Sequence, residues 1–267
     1  MRDSLRLYGR YIALSLRGQM QYRLSFIMLS LGTLLGAGME FLGIWSLFDR
    51  FEHLRDWRLA EVALFYGMVN LAMALTKTAS YGFDRFEQWI RSGDFDRLLL
   101  RPRSTALQLL GQRLQAIRIG QFAQGLTVLL WAISALDIAW SVPKVMLLVL
   151  AIIGGACVFY GLFILRATLC FWTTQGLELV NALSYGGVET ARYPLSIYRP
   201  WFRHFFTFVV PLACISYYPA LAILGRADPL GSSIYFQWLA PAIGFIFLFL
   251  SVQVWRFGVR HYCSTGS

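Results

Sequence analysis

Charged residues are scarce in this sequence. They make up 14% of its 267 residues, whereas 57% are hydrophobic, and a typical water-soluble domain carries about 25% charged residues. The apolar residues form long continuous runs, and about 20 such residues in a helix cross the ~30 Å hydrocarbon core of a bilayer. Because these runs lack the two-residue alternation of membrane strands, the sequence predicts an all-α polytopic membrane protein.

The chain also lacks a disulfide framework and a recognisable cleavable leader. Its four cysteines show no CxxC spacing and stand in or beside apolar runs, which favours small buried apolar residues over disulfides. The first 23 residues hold five arginines and no apolar core of a signal peptide. We therefore expect the amino end to be retained, on the cytoplasmic side. The cysteines are Cys157, Cys170, Cys214 and Cys263.

Motifs for catalysis are missing as well. The histidines, His53, His204 and His261, fall in separate predicted loops, so they cannot share a metal site. There is no HExxH or GxSxG sequence and no GxxxxGKS/T phosphate-binding loop. The sequence thus predicts no catalytic, metal or cofactor site in this chain. Any dependence on ATP must come from another chain.

Six apolar segments are long enough to cross a membrane, in a single domain covering residues 1–267. With the amino terminus inside, 19 of the 24 Lys and Arg residues fall in cytoplasmic segments and 5 in outer loops. This bias predicts that both termini are cytoplasmic. It also excludes a nucleic-acid partner, because the basic residues are spread along several loops as orientation signals. The predicted spans are 24–48, 60–82, 117–137, 144–165, 204–224 and 234–256.

Two further segments are assigned to the cytoplasmic surface. Residues 1–23 place apolar side chains on one helical face and arginines on an adjacent arc, which predicts an interfacial amphipathic helix among the lipid headgroups. Residues 167–187 are apolar enough for a weak seventh span, but a span here would move three arginines of the 166–203 segment outside. We therefore expect 167–187 to continue the fourth helix or to lie at the interface.

The connection after the second predicted span is the most informative loop. In residues 83–103, aromatic side chains share one face of a short helix that stops near Gly93, and charges of both signs surround them. Mixed charge with exposed aromatics suits docking into a groove of another protein. The alternative is a solvated loop lying on the membrane. The candidate docking residues are Phe83, Asp84, Arg85, Phe86, Glu87, Trp89, Ile90, Gly93, Asp94, Phe95, Asp96 and Arg97.

Two features inside the predicted spans are candidates for packing or transport. Gly32, Gly36 and Glu40 recur every four residues in the first span, a spacing that allows close helix packing within one protomer or between subunits. The charge of Glu40 should face protein or water. Pro211 and Pro219 interrupt the fifth span and either line a pathway or kink the helix. Other polar residues in the spans are few, so a pathway would be apolar to mildly polar and would suit an amphipathic or lipid-like cargo.

Four short segments carry a family resemblance. They read GDFDRLLLRP at 93–102, ARYPLSIY at 191–198, FVVPLA at 208–213 and YYPAL at 217–221. In these segments, and over essentially its whole length, the chain resembles the membrane permease subunits of bacterial ABC transporters of the type-two exporter class, in a poorly characterised six-span branch. The resemblance implies an amino-terminal interfacial helix, six spans, and a cytoplasmic coupling helix at 83–103.

The resemblance also implies partners and a role. Two permeases, alike or different, would meet through their first and fifth spans and would bind separate ATPase subunits, which hold the ATP and Mg²⁺. The expected function is a non-enzymatic permease subunit of an exporter in a bacterial inner membrane, surrounded by membrane lipid. Substituting Phe86 or Asp94 should then uncouple ATP hydrolysis from transport. A membrane-embedded enzyme or a non-transporting scaffold protein is the alternative.

Overall fold

The computed structural model describes residues 9, 13–15, 17–51, 53–54, 56–112, 114–173 and 185–263. Within these residues the regular structure is helical apart from one isolated β-bridge, which confirms the all-α prediction. The helices are α1 (Arg23–Phe51), α2 (Leu59–Ala79), α3 (Tyr81–Asp84), α4 (Phe86–Arg91), α5 (Asp94–Leu99), α6 (Thr105–Leu110), α7 (Ile119–Ala135), α8 (Val142–Leu169), α9 (Pro200–His204), α10 (Leu212–Ile215), α11 (Tyr217–Leu224), α12 (Ile234–Leu239) and α13 (Ile243–Arg260). Residues 185–191 are also helical. Shorter 3₁₀ or π turns cover Ala116–Arg118, Leu195–Ile197, Phe205–Val209 and Ala240–Ala242.

Five helical segments of the described chain are long and apolar enough to cross a membrane, and they coincide with predicted spans one to four and six. They are α1, α2, Ala116–Ala135, α8 and Ile234–Arg260. In their most apolar stretches, 83% of the residues of α2 and 61% of those of α8 are buried, against 17% for α1. The helices α2 and α8 therefore form the centre of the bundle, and α1 leaves most of its surface for lipid or another subunit.

The first four long helices alternate in direction, α13 runs parallel to α8, and this gives the bundle two ends. We call the end that holds the start of α1 the near end; it also holds the end of α2, the start of α7, and the ends of α8 and α13. The opposite end, where α1 meets α2 and α7 meets α8 through short loops, is the far end. The near end corresponds to the predicted cytoplasmic side. At the far end the backbone N–H of Arg58 donates to the Glu61 carboxylate (2.8 Å) and fixes the start of α2.

The fifth predicted span, residues 204–224, is broken. Its two parts, Pro200–Val209 and Leu212–Leu224, meet at an angle of 73°. Pro211 lies at this break, after a π turn, where it has no N–H to donate. Pro219 lies in the first turn of α11, where a missing N–H costs no intrahelical hydrogen bond.

The broken segment begins and ends at the far end. Arg203, in the first part, and Arg226, just after the second, line one pocket together with Trp57. Between the two parts the chain reaches mid-depth, because Ile215 Cδ1 would lie 3.3 Å from a Cβ placed on Gly155, the midpoint of α8. The segment is therefore a re-entrant hairpin that enters from the far end. This corrects the prediction that it crosses the membrane.

The stretch before the hairpin runs through the bundle instead. The ring of Tyr185 packs near α8 within two turns of the near end. Arg192 binds Asn70, in the middle of α2, at 3.2 Å. At the far end, Trp57 Nε1 donates to Ser196 Oγ at 3.1 Å. Residues 185–196 thus climb from the near end to the far end.

This path corrects the placement of residues 166–203 at the cytoplasmic side. The fourth helix does continue to Leu169 at the near end, but residues 185–203 lie inside the bundle or at its far end. The middle of the predicted interfacial segment 167–187, residues 174–184, lies outside the described residues. With Arg199 and Arg203 at the far end, that end holds 6 of the 19 Lys and Arg residues that the structure describes, the near end holds 12, and Arg192 lies between the two ends. The charge asymmetry survives the change.

The predicted interfacial helix 1–23 lies largely outside the described residues. Its described parts, 13–15 and 17–20, are helical. Ser15 Oγ accepts from the Leu114 N–H (3.0 Å), and Gln19 Oε1 accepts from the Ala116 N–H (3.0 Å). These bonds cap exposed backbone groups before α7 and hold the amino-terminal segment at the near end.

Candidate functional site

The 83–103 segment turns back onto its own chain at the near end. Its helices α3, α4 and α5 are one or two turns long and are separated at Arg85 and Gly93. Gly93 has φ 71°, in the left-handed region that glycine adopts without strain. These short helices bury most of their apolar side chains, while the arginines in and beside them stay exposed. The buried residues are Phe83, Phe86, Ile90, Phe95 and Leu98.

An aromatic cluster at the near end receives these buried side chains. The Phe86 ring, with no exposed surface, lies 4.9 Å from Trp255 of α13 and 5.0 Å from Phe95, measured between ring centroids. Phe171, just after α8, lies 5.2 Å from Trp255. The prediction of exposed aromatic docking residues is therefore wrong for Phe83, Phe86 and Phe95, because large rings gain most by burial in their own chain.

Two close contacts tie the same segment to the long helices. Arg166, near the end of α8, binds Asp84 at 2.8 Å in a half-buried ion pair. A Cβ on Gly82 would collide with the backbone carbonyl of Leu109, so α3 and α6 approach each other closely. A displacement of the 83–103 segment would therefore be transmitted directly to α8, and through the aromatic cluster to α13.

Apart from Asp84, the charged side chains of the segment lie at its outer surface. Arg91 pairs with Glu87, and Arg97 lies 3.4 Å from Asp94. Exposed pairs of this kind contribute only about 0–1 kcal/mol, so these side chains can exchange their partners at little cost. We call the following exposed residues the outer face: Arg85, Arg91, Arg97, Leu100 and Arg101.

A cleft of about 560 Å³ lies beside the outer face, lined by Trp89, Asp94, Arg97 and Arg101 among others. Gln108 of α6 also lines it and is 8% exposed. Its Nε2 donates to two backbone carbonyls, at 3.1 and 3.2 Å, while its buried Oε1 has no hydrogen-bond partner among the described residues. The cleft thus combines two arginines, a carboxylate and an aromatic ring in one wall.

A second polar site lies inside the bundle, around Arg192. The guanidinium is 4% exposed and binds Glu40 of α1 at 2.8 Å and Glu189 at 2.6 Å. It also lies over the Tyr66 ring, 4.9 Å from the centroid, and donates to Asn70 Oδ1 at 3.2 Å. A buried arginine is tolerable in a membrane protein only when paired in this way.

Amide side chains extend this network between α2 and α7. Asn70 Nδ2 donates to Gln124 Oε1 at 2.7 Å, and Gln121 Nε2 donates to Asn70 Oδ1 at 3.0 Å. The Tyr66 hydroxyl donates to the Ala37 carbonyl of α1 at 2.8 Å. The network thus connects α1, α2, α7 and residues 189–192 at mid-depth.

A cavity of about 430 Å³ opens beside this network. Three cations (Lys77, Arg118 and Arg192) and two carboxylates (Glu40 and Glu189) line it. Its wall is therefore much more polar than the apolar to mildly polar pathway that the predicted spans indicate. The groups that make it polar come from the unpredicted crossing at 185–192, from α1 and α2, and from α7 with the turn that precedes it.

The comparison with known families decides the identity of the bundle. The family model described as "ABC-2 family transporter protein" matches residues 34–266. The chain belongs to this family. Searches of the curated proteins and of the solved structures returned no match. As an ABC-2 family member, the protein is a multi-pass membrane protein and a permease-type transport subunit, in agreement with its apolar helices.

The predicted packing stripe of this ABC-2 protein is exposed on α1, and two of its members, Gly36 and Glu40, line the cavity. A Cβ placed on Gly32 or Gly36 would meet no described atom within 4 Å. The intramolecular contact of α1 with α7 occurs elsewhere, at Gly120, whose Cβ would collide with the Ser30 carbonyl. Glu40 on the same stripe binds Arg192.

Sequence reasoning missed Arg192 and the cavity of this ABC-2 chain. Arg192 was expected at the cytoplasmic side, because a span at 167–187 would have moved it and two other arginines outside. Of its two carboxylate partners, Glu189 is three residues away and Glu40 is 152 residues away. The one available signal was Glu40 itself, a carboxylate within a span that requires a cation or water. Among the described residues, no group of His, Cys, Asp or Glu could hold a metal ion.

Proposed function

We propose that this protein is the permease subunit of an ATP-driven exporter, and that a separate ATPase subunit docks on the outer face of the 83–103 segment. The observation that carries the proposal is the two-sided construction of this segment. Its aromatic side is fixed to α8 and α13, while its other side presents four arginines and Leu100 to the near end. A surface of this kind suits an acidic partner with an apolar centre.

The role of each predicted docking residue follows from this construction. The contact surface includes Arg85 and Arg97. It also includes Glu87, which pairs with Arg91, Asp94, which pairs with Arg97, and the neighbouring Asp96. Phe83, Phe86, Ile90 and Phe95 act as the anchor that carries force into the bundle. Trp89 and Gln108 line the cleft that a side chain of the ATPase would enter.

ATP-driven movement of the partner would act on the transmembrane helices through these contacts. A push on the outer face reaches α8 through the ion pair between Asp84 and Arg166, and α13 through Trp255. Rigid-body tilting of packed helices is an established way for a local displacement to alter access to a distant site. The ATP and Mg²⁺ belong to the partner, and the chain itself contributes binding and transmission.

A second permease, the same chain or a different one, would contact part of the exposed face of α1. No described residue lies in front of the Gly32 and Gly36 stripe, and small residues at this spacing permit close approach of two helices. The variant Gly36→Leu should leave the protomer folded and weaken the pairing of subunits in detergent. Ala135→Leu, at an exposed position of α7, is the control. Equal pairing of both variants would contradict a subunit contact at Gly36.

Docking of the ATPase is tested by charge reversal. The double variant Arg97→Glu and Arg101→Glu should lose at least 90% of the ATPase that copurifies in mild detergent, because both side chains are exposed at the proposed contact. Arg50→Glu makes the same charge change at the far end and should retain it. Unchanged copurification of the double variant, with a normal melting temperature, would contradict ATPase docking on the outer face. A protein that purifies without any ATPase would favour the membrane-embedded enzyme or scaffold.

The cargo and location follow from the same proposal. The protein would reside in a bacterial inner membrane with both termini on the ATPase side, which is the near end. An amphipathic or lipid-like molecule would be moved from that side, since the polar cavity opens beside the large exposed apolar face of α1. Membrane lipid is therefore both the surrounding medium and the class from which the cargo comes.

A further inference from the structure

The cavity beside Arg192 contains two cations that no described carboxylate neutralises by a direct ion pair. Lys77 lies two residues before the end of α2, and its Nζ is 5.1 Å from the centre of the Tyr185 ring. Arg118 precedes α7, and its Nε donates to Gln115 Oε1 at 2.9 Å. Within the part of the chain that the structure describes, neither cation has a carboxylate oxygen within 4 Å.

The carboxylates of the site are already engaged elsewhere. Glu40 and Glu189 both bind the Arg192 guanidinium. Asp84, the next nearest, binds Arg166. Arg192 and its two carboxylates, Glu40 and Glu189, together carry one net negative charge. Lys77 and Arg118 together supply two positive charges. The cavity is therefore positive overall, and its positive charge is concentrated toward the near end.

Arg192 adds an independent sign that the site is incomplete. Its side chain is nine-tenths buried and lines the cavity, yet its Nε–H has no hydrogen-bond partner among the described residues. Buried donors are almost always satisfied in native structures. An anionic group in the cavity would both supply an acceptor near this donor and balance the excess positive charge.

The depth of the cations suits a lipid headgroup. Lys77 and Arg118 lie within one turn of the near ends of α2 and α7, where the headgroups of a bilayer would lie. On the α1 side of the cavity, large apolar side chains are exposed: Leu31, Leu35 and Met39 are 52%, 64% and 69% exposed. A molecule with its charged end in the cavity could lay an acyl chain along this face.

We propose that the cavity binds the anionic headgroup, a phosphate or carboxylate, of an amphipathic lipid-like molecule, with Lys77 and Arg118 as the principal contacts. Basic pockets between transmembrane helices on this side of a membrane are suited to anionic headgroups, and Arg and Lys both bind phosphate oxygens strongly. The assignment of this ligand as the cargo rests on the proposed exporter function. The binding site itself does not.

Binding is measured on the full-length protein purified in detergent, by native mass spectrometry. The probes are palmitoyl-oleoyl phosphatidylglycerol, which is anionic, and palmitoyl-oleoyl phosphatidylcholine, which is zwitterionic. The wild-type protein should bind phosphatidylglycerol at least tenfold more tightly than phosphatidylcholine. Lys77→Gln and Arg118→Gln should each lower the affinity for phosphatidylglycerol about tenfold, and Lys77→Arg should restore most of it. Arg256→Gln and Arg50→Gln, which remove exposed cations outside the cavity, should change it less than twofold.

The remaining outcomes separate the possible explanations. Equal losses in the cavity variants and the surface controls would overturn the site, since general electrostatic attraction would then explain the binding. Equal affinities for the two lipids would overturn it as well. Displacement of phosphatidylglycerol by millimolar inorganic phosphate would assign the site to the anion alone, whereas resistance to displacement would assign it to the whole lipid; both support the cavity. Specific binding without a copurifying ATPase would retain the site and reject the exporter function.

Discussion

Arg192 Nη2 lies 2.8 Å from Glu40 Oε2, a contact between residues 152 positions apart in the chain. It joins the outward face of α1 to the crossing that precedes the re-entrant hairpin. The arginine is 4% exposed, while the side chains of Glu40 and Glu189 are 51% and 63% exposed. The buried partner therefore depends on two carboxylates that face the cavity.

Removing both carboxylates should be far more harmful than removing one. Glu40→Gln or Glu189→Gln leaves one counter-charge, so each should cost about 1–2 kcal/mol. The double variant leaves a buried unpaired guanidinium and should cost about 3–5 kcal/mol, more than the two single changes together. Melting temperatures in detergent test this, with the surface variant Glu87→Gln as the control. Strict additivity of the single effects would contradict a shared role for the two carboxylates.

The far-end position of residues 196–203 is tested by labelling. In a background without the native cysteines, Arg199→Cys should react with a membrane-impermeant maleimide from the side opposite to the ATPase, because Arg199 is exposed at the far end. A protein that keeps only Cys263, exposed after α13, should react from the other side. Labelling of both cysteines from one side would return residues 166–203 to the cytoplasmic surface.

Substitutions in the 83–103 segment should separate folding from docking. Phe86→Ala removes a ring with no exposed surface from the aromatic cluster, so we expect a loss of about 3–5 kcal/mol in stability. Leu100→Ala, at a residue that is 86% exposed, should change stability by less than about 0.5 kcal/mol and weaken ATPase binding instead. Thermal unfolding followed by tryptophan fluorescence measures the stability of both variants, since Trp255 contacts Phe86. Wild-type stability of Phe86→Ala would contradict the cluster.

The native cysteines should differ sharply in reactivity. Burial raises the pKa of the Cys170 thiol to about 11, so its reactive thiolate stays scarce below pH 9 and increases only as the pH approaches that value. Cys263 is exposed and should be alkylated first. Mass spectrometry after brief N-ethylmaleimide treatment at pH 7.5 should find Cys263 modified and Cys170 intact. Heating past the melting temperature should expose Cys170, whereas labelling in the folded protein would show that this end of α8 is open.

Most of the helices could be predicted from the sequence because their signal is local. A run of about 20 apolar residues is long enough to cross a bilayer as one straight helix, and this identified α1, α2, α7, α8 and the last span. The helix stop at Gly93 was equally local. The amphipathic character of residues 83–103 was predicted too, but the aromatic face was wrongly expected to be exposed. The same alternation of aromatic and charged residues is compatible with an aromatic face that docks outward and with one that packs inward.

The errors share one physical cause, which is compensation by distant residues. The 204–224 segment has the hydropathy of a span, yet its break at Pro211 and the packing of Ile215 against Gly155 turn it back to the far end. The crossing that includes Arg192 has the polarity of a loop and is stabilised by Glu40 and Asn70. Neither could be decided by composition, because each depends on contacts made only after the bundle assembles.

The sequence by itself determined that this protein is a helical membrane protein with a strong charge bias and a two-faced near-end segment. Hydropathy and the positive-inside bias act on each segment separately, so no partner is needed to interpret them. Only the tertiary structure decided which segment re-enters and which one crosses. It alone brought three cations and two carboxylates to one cavity, because the cost of a buried charge is fixed by its neighbours in space and not by its neighbours in the chain.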